Sequence, residues 1–336
     1  MTQRSKRIFI TGATGFVGSA LANSLANQGQ IIHALIRDEN KARKYINHSN
    51  IHYFKGDLMD RDSLRKAASG CEESYHLAGY VNLWHRDKNM FYKHNVTGTE
   101  NVLKACLAEG VKKFVFTSTA GVIGPSNNGL VTEDTIKTLP STTEYERSKE
   151  QAEALVRSYA NQDLQVVIVN PTRVFGPGPM SKSNAVTMLI DKYSKGKWKL
   201  LPRDGNAISN YVYIDDVVLG HQLAMEKGIT GERYIIGGDN VSYIDFFNTI
   251  GKITGKTYKL IKVPVSLILF MAHFQQIKAD LFGKAPLITP GFARKYLYNW
   301  KTDCYKANKY LGYNHKSLEY GIQQTLKWLN FDSNSK

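Results

Sequence analysis

Short apolar, β-branched runs alternate with longer amphipathic segments through the first half of the chain. Residues 7–11, 31–36, 51–54, 73–76, 113–117 and 165–169 read as strands. Between most of them, 16–28, 60–68, 88–109 and 143–160 repeat their apolar positions with a helical period. Strands alternating with helices predict right-handed crossovers and a parallel sheet. The continuous apolar runs Ile8-Phe9-Ile10 and Val166-Val167-Ile168-Val169 suit strands covered on both faces. After Pro171 the rhythm breaks at Gly176-Pro177-Gly178-Pro179, a stop signal for any regular element. The expected organisation is a doubly wound α/β domain over 1–171 and a smaller mixed α/β lobe over 172–331. Segments near 210–218 and 233–236 are candidates to return to the first sheet. The tail, 332–336, is expected to fray.

The sharpest motif is Thr11-Gly12-Ala13-Thr14-Gly15-Phe16-Val17-Gly18, between the first strand and the first helix. Gly12 permits a tight turn, Gly15 lets the backbone approach a pyrophosphate, and Gly18 lets the helix pack closely on the sheet. A Rossmann-type dinucleotide site is the reading. The second strand ends Leu35-Ile36-Arg37-Asp38, with Lys41, Arg43 and Lys44 close behind. Ile36 takes the usual acidic position, and Arg37 follows it. An arginine there accommodates a 2′-phosphate, which favours NADP. The alternative is NAD, with Arg37 solvated and Asp38 on the ribose. Asp57, beside Leu58 after the third strand, either accepts from the adenine amino group or caps the helix that follows.

Tyr145 and Lys149 are four residues apart, on one face of a predicted helix. An ammonium beside a phenol favours the phenolate, which makes Tyr145 a workable acid or base for carbonyl–alcohol exchange. Thr117-Ser118-Thr119 places three hydroxyls at the carboxyl edge of the fifth strand, where ligands of open α/β sheets bind. The competing role for these hydroxyls is local backbone satisfaction.

Composition narrows the class. The chain has 336 residues, 42% of them apolar and 22% charged, which suits two globular domains and excludes disordered or fibrous classes. Cys71, Cys106 and Cys304 offer neither a disulfide framework nor zinc spacing; no metal site is expected, and the chain reads as intracellular, in the cytoplasm. No signal peptide is expected, since a basic start runs straight into the first strand. The most apolar stretch, 263–274, is too short to span a bilayer. Net charge is +15, of which residues 1–170 carry +4 and residues 171–336 carry +11. A solvated basic surface is the plain reading; attraction of a phosphorylated ligand or an acidic lipid surface is the functional one. Nucleic-acid signatures are absent.

Taken together the motifs resemble the extended short-chain dehydrogenase/reductase family. Its other carriers here are His76-Leu77-Ala78-Gly79, Asn95-Val96-Thr97-Gly98-Thr99 and Asn170-Pro171-Thr172-Arg173-Val174-Phe175-Gly176-Pro177. Tyr211-Val212-Tyr213-Ile214-Asp215-Asp216-Val217 and Gly231-Glu232-Arg233-Tyr234-Ile235-Ile236-Gly237-Gly238 look most like the dihydroflavonol 4-reductase-like branch. That branch also takes in 3β-hydroxysteroid dehydrogenase-like and hopanoid-associated sugar-epimerase-like proteins. The resemblance implies that Tyr145 moves the proton, that Lys149 holds the nicotinamide ribose, and that Thr119 polarises the carbonyl. It implies a cofactor site of Gly12, Thr14, Gly15, Phe16, Val17, Arg37, Lys44, Asp57, Leu58, Ala78, Gly79, Lys149, Pro171 and Val174. Phe175 would cover the nicotinamide face and touch substrate. Nucleotide-sugar epimerases of the family carry Arg-Asp-Phe where this chain has Ser209-Asn210-Tyr211. The usual phosphate clamp is therefore missing, unless Arg173 or Arg203 replaces it.

The loop Tyr80-Val81-Asn82-Leu83-Trp84-His85 suits a flat or hydrophobic substrate, with Trp84 as a contact and His85 either a contact or a surface residue. Residues 263–274 are core, a substrate lid or a membrane-surface helix, core being the default. The expected function is an NADP-dependent ketone or aldehyde reductase acting on a small-molecule substrate. The rivals are an NAD-dependent sugar epimerase or dehydratase and a non-catalytic dinucleotide sensor. The resemblance admits a homodimer.

Overall fold

The computed structural model describes residues 5–126, 129–160 and 162–330. The expectation for 332–336 lies outside the described residues.

The chain opens β1 (Arg7–Thr11), α1 (Phe16–Asn27), β2 (Ile31–Ile36), α2 (Glu39–Tyr45), β3 (Ile51–Lys55), α3 (Arg61–Ala68) and β4 (Glu73–His76). It continues with α4 (Asn89–Tyr92), a π-helical turn (Lys93–Thr97), α5 (Gly98–Ala108), β5 (Lys113–Thr117), α6 (Glu144–Ser158) and β6 (Gln165–Pro171). Then follow β7 (Arg173–Phe175), α7 (Ala185–Ser194), β8 (Leu200–Pro202), β9 (Ile208–Tyr213), α8 (Ile214–Lys227), β10 (Arg233–Ile236) and β11 (Asp239–Ser242). The last elements are α9 (Tyr243–Thr254), β12 (Ile261–Val263), α10 (Val265–Phe282), α11 (Pro290–Ala293), α12 (Tyr305–Leu311) and α13 (Leu318–Trp328).

Seven parallel strands form the main sheet, in the order β10-β6-β5-β4-β1-β2-β3. Both faces are covered, and the alternation along each strand shows why. Ile8 and Ile10 enter a core with Leu21 and Leu25 of α1 and Val217 and Ala224 of α8. Phe9 between them enters a core with Leu64 of α3, Val102 of α5 and Val156 of α6. A one-residue slip of β1 would exchange these two sets, so its register is tightly held.

Local signals set the helix starts. Asp60 caps α3, accepting from Asp62 N and Ser63 N. Thr143 caps α6 and accepts from Glu146 N at 3.2 Å, while its hydroxyl donates to Glu146 Oε2 at 3.0 Å. Such a cap contributes about 1 kcal/mol.

Segment 233–236 is the edge strand β10, paired with β6. Segment 210–218 differs from its expectation. Its strand part, β9, joins β7 and β11 in a separate three-stranded sheet. Its remainder begins α8, whose apolar face, with Val217, Val218 and Ala224, covers the main sheet. A helix-period stripe lies inside what reads as a β-branched run. A third cluster, around Phe175, Tyr211, Tyr213, Phe246 and Phe247, forms the core of the later elements.

Residues 263–274 are not core. They fall mainly in α10, of which only Val265, Ala272 and Ala279 are buried, while Phe270 and Phe274 are exposed. Neighbours cover too little of this helix to bury an all-round apolar surface. Among the described residues, no helix is long and apolar enough to cross a membrane.

Candidate active site

Strand order reverses between β1 and β4, and the motifs converge on the carboxyl ends beside that point. Gly12 has φ 73°, and a Cβ on it would stand 2.5 Å from the Ala78 nitrogen. The turn needs glycine for its left-handed backbone and because the end of β4 lies against it. A Cβ on Gly18 would meet the Gly12 carbonyl oxygen at 2.1 Å. Gly15 precedes α1 without a side-chain cap, and no acid stands in the first turn. Free N–H groups and the positive end of the helix dipole are left for an anion, so the turn fits a pyrophosphate.

His76, fully buried at the end of β4, ties this turn to α5. Thr99 donates its hydroxyl to the Asn95 carbonyl at 2.7 Å, so it accepts from His76 Nε2–H at 2.9 Å. Nδ1 is then left to accept from the Thr11 hydroxyl. Burial, and the nearby Lys149 charge, push this imidazole down to about 3.

At the end of β2, Ile36 is buried and Arg37 is exposed. A guanidinium nitrogen lies 3.9 Å from Asp57 Oδ2, a loose contact. Asp38 serves α2 as its cap, accepting from Lys41 N at 3.1 Å. Arg43 pairs with Glu39, and Lys44 lies 5.3 Å from the Tyr45 ring centroid. Asp57 does not cap α3, because Asp60 does. Its Oδ1 accepts from Met59 N at 3.0 Å instead.

The Thr143 cap of α6 places Tyr145 in the first turn, with Lys149 one turn further on. Lys149 is 3% exposed, and its ammonium donates to the Thr117 carbonyl at 2.6 Å, over the Phe116 ring. Burial brings it down to about 7, against an upward pull from Glu153. The Tyr145 hydroxyl is held above its ordinary range, by burial first and by Glu146 second. Thr119 Oγ1 accepts from Gly121 N at 3.2 Å, which leaves its O–H free to donate. Thr117 is committed elsewhere. His221 Nδ1 faces the Val217 carbonyl at 2.7 Å, so Nε2 accepts from the Thr117 hydroxyl at 2.8 Å. Ser118 Oγ is buried without a hydrogen-bond partner.

The family model described as "NAD dependent epimerase/dehydratase family" matches residues 8–237. The chain belongs to that family. A Synechocystis sp. protein provisionally named a dihydroflavonol 4-reductase is 29% identical over 95% of this chain and 93% of its own length. A Candida albicans protein named sterol-4-alpha-carboxylate 3-dehydrogenase, decarboxylating, is 28% identical over 99% and 100%. Among solved structures, that of gox2253 superposes with a TM-score of 0.80 at 30% identity, covering 97% of this chain and 98% of that one. The chain is thus an enzyme of the extended short-chain dehydrogenase/reductase branch of the epimerase/dehydratase family.

The remaining expected residues of this family member divide. Gly79 faces Asn95 Oδ1, and Ala78 abuts Gly12, so both line the cleft beside the turn. Pro171 ends β6, and Val174 is partly buried on β7. Thr14 and Val17 keep partial exposure. Phe16 and Leu58 are buried in core clusters, so only their backbone faces the cleft. Phe175 is a correction. It is fully buried against Tyr213 and Gly321, because its strand face is the core face of the later elements, so its side chain has no open surface to offer a nicotinamide. Trp84 donates from Nε1 to Asp280 Oδ1 at 3.1 Å, joining the loop after β4 to α10. His85 closes its own loop with Asp87. Arg203 is exposed beyond β8, and Arg173 is interior.

Two supports carried no role in the sequence. Asn95 accepts from Tyr80 N at 2.6 Å and donates to Ser148 Oγ at 2.8 Å, binding the loop after β4 to the helix of Tyr145. Its π-helical turn is a distortion often found at functional sites. Asn170 donates to the Thr119 carbonyl at 3.1 Å and to Glu153 Oε1 at 2.6 Å. The only signal for Glu153 was its place four residues after Lys149.

Proposed function

We propose that the protein is an NADP-dependent reductase or dehydrogenase that interconverts a carbonyl and an alcohol on a small, apolar substrate. The observation that carries this reading is the Lys149 ammonium, fixed to the Thr117 carbonyl one helical turn from Tyr145. Gly12, Thr14, Gly15 and the backbone of Phe16 and Val17 would hold the pyrophosphate. Asp57 and Leu58 would meet the adenine side. Ala78, Gly79, Lys149, Pro171 and Val174 would hold the nicotinamide end. The nicotinamide, when bound, supplies or removes the hydride. Tyr145 gives the proton to the substrate oxygen or takes it back, and Thr119 donates a hydrogen bond to the same oxygen. Burial and Glu146 leave Tyr145 a reluctant acid; in this reading a charged Lys149 on the same helix face offsets part of that cost when the proton moves.

Arg37 supports NADP, since it is exposed and only loosely engaged, while Asp38 is committed to a helix cap. Three features support an apolar substrate: the Trp84–α10 contact, the Ser209 that stands where an epimerase arginine is expected, and the similarity to a protein named for sterols. A second reading, a sugar epimerase or dehydratase that retains NAD, is favoured by the family's own description.

The test is cofactor content. Protein purified without added cofactor is denatured, and the released NAD and NADP are assayed separately. An empty site that then binds NADPH more tightly than NADH is the expected result. Near-stoichiometric NAD overturns it in favour of the epimerase reading.

A further inference from the structure

Glu146 is a buried carboxylate beside the proton chemistry. It follows Tyr145 in the first turn of α6 and is 2% exposed. One oxygen, Oε2, accepts from the Thr143 hydroxyl at 3.0 Å. The other, Oε1, forms an ion pair with Lys295 of the 3₁₀ turn Arg294–Leu297. A Cβ on Gly121 would stand 2.8 Å from that same oxygen. Gly121 is the residue whose N–H meets Thr119 Oγ1. The carboxylate therefore sits where three pieces join: the helix of Tyr145, the turn of Thr119 and the later elements.

Lys295 is set in place for this contact. Its ammonium lies over two rings, 5.6 Å from the Phe292 centroid and 5.3 Å from that of Trp300. Trp300 Nε1 donates to the Lys295 carbonyl at 3.0 Å, and Trp300 N donates to the Ile208 carbonyl at 2.8 Å, which ties the turn to β9. Gly291 of α11 is seated on the Thr142 backbone at the start of α6, where a Cβ would come within 2.2 Å of the carbonyl oxygen. The other charges at this end of α6 are engaged differently. Glu144 pairs with Arg147 at 2.9 Å and with Lys88 at 3.9 Å, and it accepts from Tyr92 of α4 at 2.9 Å. Lys149 is held by the Thr117 carbonyl, and Arg294, beside Lys295, is exposed.

A buried ion pair adds little net stability, because desolvation offsets the attraction, but breaking one leaves an uncompensated charge. Here that charge would be an anion on the residue after Tyr145. A phenol that gives up its proton becomes an anion itself, and a bare carboxylate beside it opposes the step. Glu146 already acts on Tyr145 in that direction.

We propose that Lys295 is a positioning residue for the proton step: its ammonium holds the Glu146 carboxylate against the Thr119 turn and offsets the negative charge that Tyr145 must work against. The later elements thereby complete a proton donor that α6 and β5 do not finish alone. This rests on the oxidoreductase reading, in which Tyr145 moves the proton.

The test follows the Tyr145 phenol directly. The full chain, saturated with NADP⁺ and labelled with carbon-13 at tyrosine Cζ, is titrated by NMR to about pH 11, past the ordinary phenol range. The Tyr145 resonance is the one that Tyr145→Phe lacks. Lys295→Met should move its ionisation up by about one pH unit, and Glu146→Gln should move it down. Lys295→Arg keeps the charge and should keep the wild-type value. In the Glu146→Gln background, Lys295→Met should move nothing further, because Lys295 acts through Glu146. That double variant leaves no unpaired charge at the contact, so it carries the test even if Lys295→Met alone does not fold. With NADPH and 4-nitrobenzaldehyde as the probe carbonyl, Lys295→Met should lose roughly three- to tenfold in turnover and keep its KM for NADPH, while Lys295→Arg should keep both. A Tyr145 resonance that titrates alike in all variants, or stays protonated throughout in all of them, overturns the proposal. So does an equal shift from Lys295→Met in the Glu146→Gln background, which would make the lysine's effect independent of the carboxylate. The oxidoreductase reading fails separately, if Tyr145→Phe keeps its turnover of the probe.

Discussion

At Tyr145, burial and proton transfer pull in opposite directions. The phenol is harder to ionise than in water, and Lys149 stands ready with a proton affinity that burial has lowered to about 7. Replacing Tyr145 with Phe removes the proton and little volume. Tyr145→Phe should keep cofactor affinity and lose on the order of 10²–10⁴ in turnover, read by steady-state kinetics beside a cofactor titration. Undiminished turnover would remove Tyr145 from the chemistry. Arg37→Ala should weaken NADPH far more than NADH in paired titrations, and equal losses would place the phosphate elsewhere. At this scale the sequence was most informative where backbone geometry restricts residue type, as at Gly12 and Gly18. It was least informative about facing. Phe175 sits in a motif, but its side chain is set by pairing between β7 and β9, whose partnered residues lie 38 positions apart in sequence.

Strands and helices of the main sheet were legible because their apolar period is clear, as in α3 and α6. Helix α2 was not, since its seven residues bury only Ala42 and show no apolar stripe. Nor was the fate of α10, because an all-round apolar helix looks the same in sequence whether it is covered or bare. Its exposed side carries Leu267, Phe270, Met271, Phe274, Ile277 and Leu281 at helical spacing. Phe270→Asp combined with Phe274→Asp should shift the chemical-unfolding free energy by no more than about 0.5 kcal/mol per site, since neither ring is buried. If this side rests on anionic lipid, as the basic later half of the chain suggests, wild type should cosediment with phosphatidylserine vesicles and the double variant should not. Wild type that stays in the supernatant rules that contact out.

Across the whole molecule, three interior groups make stability depend on pH in one direction. Burial holds His76 near 3 and His221 near 4, both below the ordinary 6.5. Between those values and 6.5 the unfolded chain binds protons that the folded chain refuses, so stability falls as pH drops through this window. Lys149 acts likewise between about 7 and 10.5, where stability rises with pH. Urea midpoints should therefore be higher at pH 8 than at pH 5, and His221→Gln should flatten the acid side. A midpoint that rises on acidification would contradict the neutral assignment of both rings.

The position of β10 has a consequence for synthesis. The sheet is finished by residues that leave the ribosome more than 60 positions after β6, and α8, which seals one face, emerges only just before them. A nascent chain stopped at Pro171 would hold six strands with a bare edge and an open apolar face around Val167 and Val169. Such a chain should need a chaperone at least until Ile236 has emerged. The first 171 residues made alone should aggregate, whereas the full chain, in which β10 and α8 complete this sheet, should stay monodisperse.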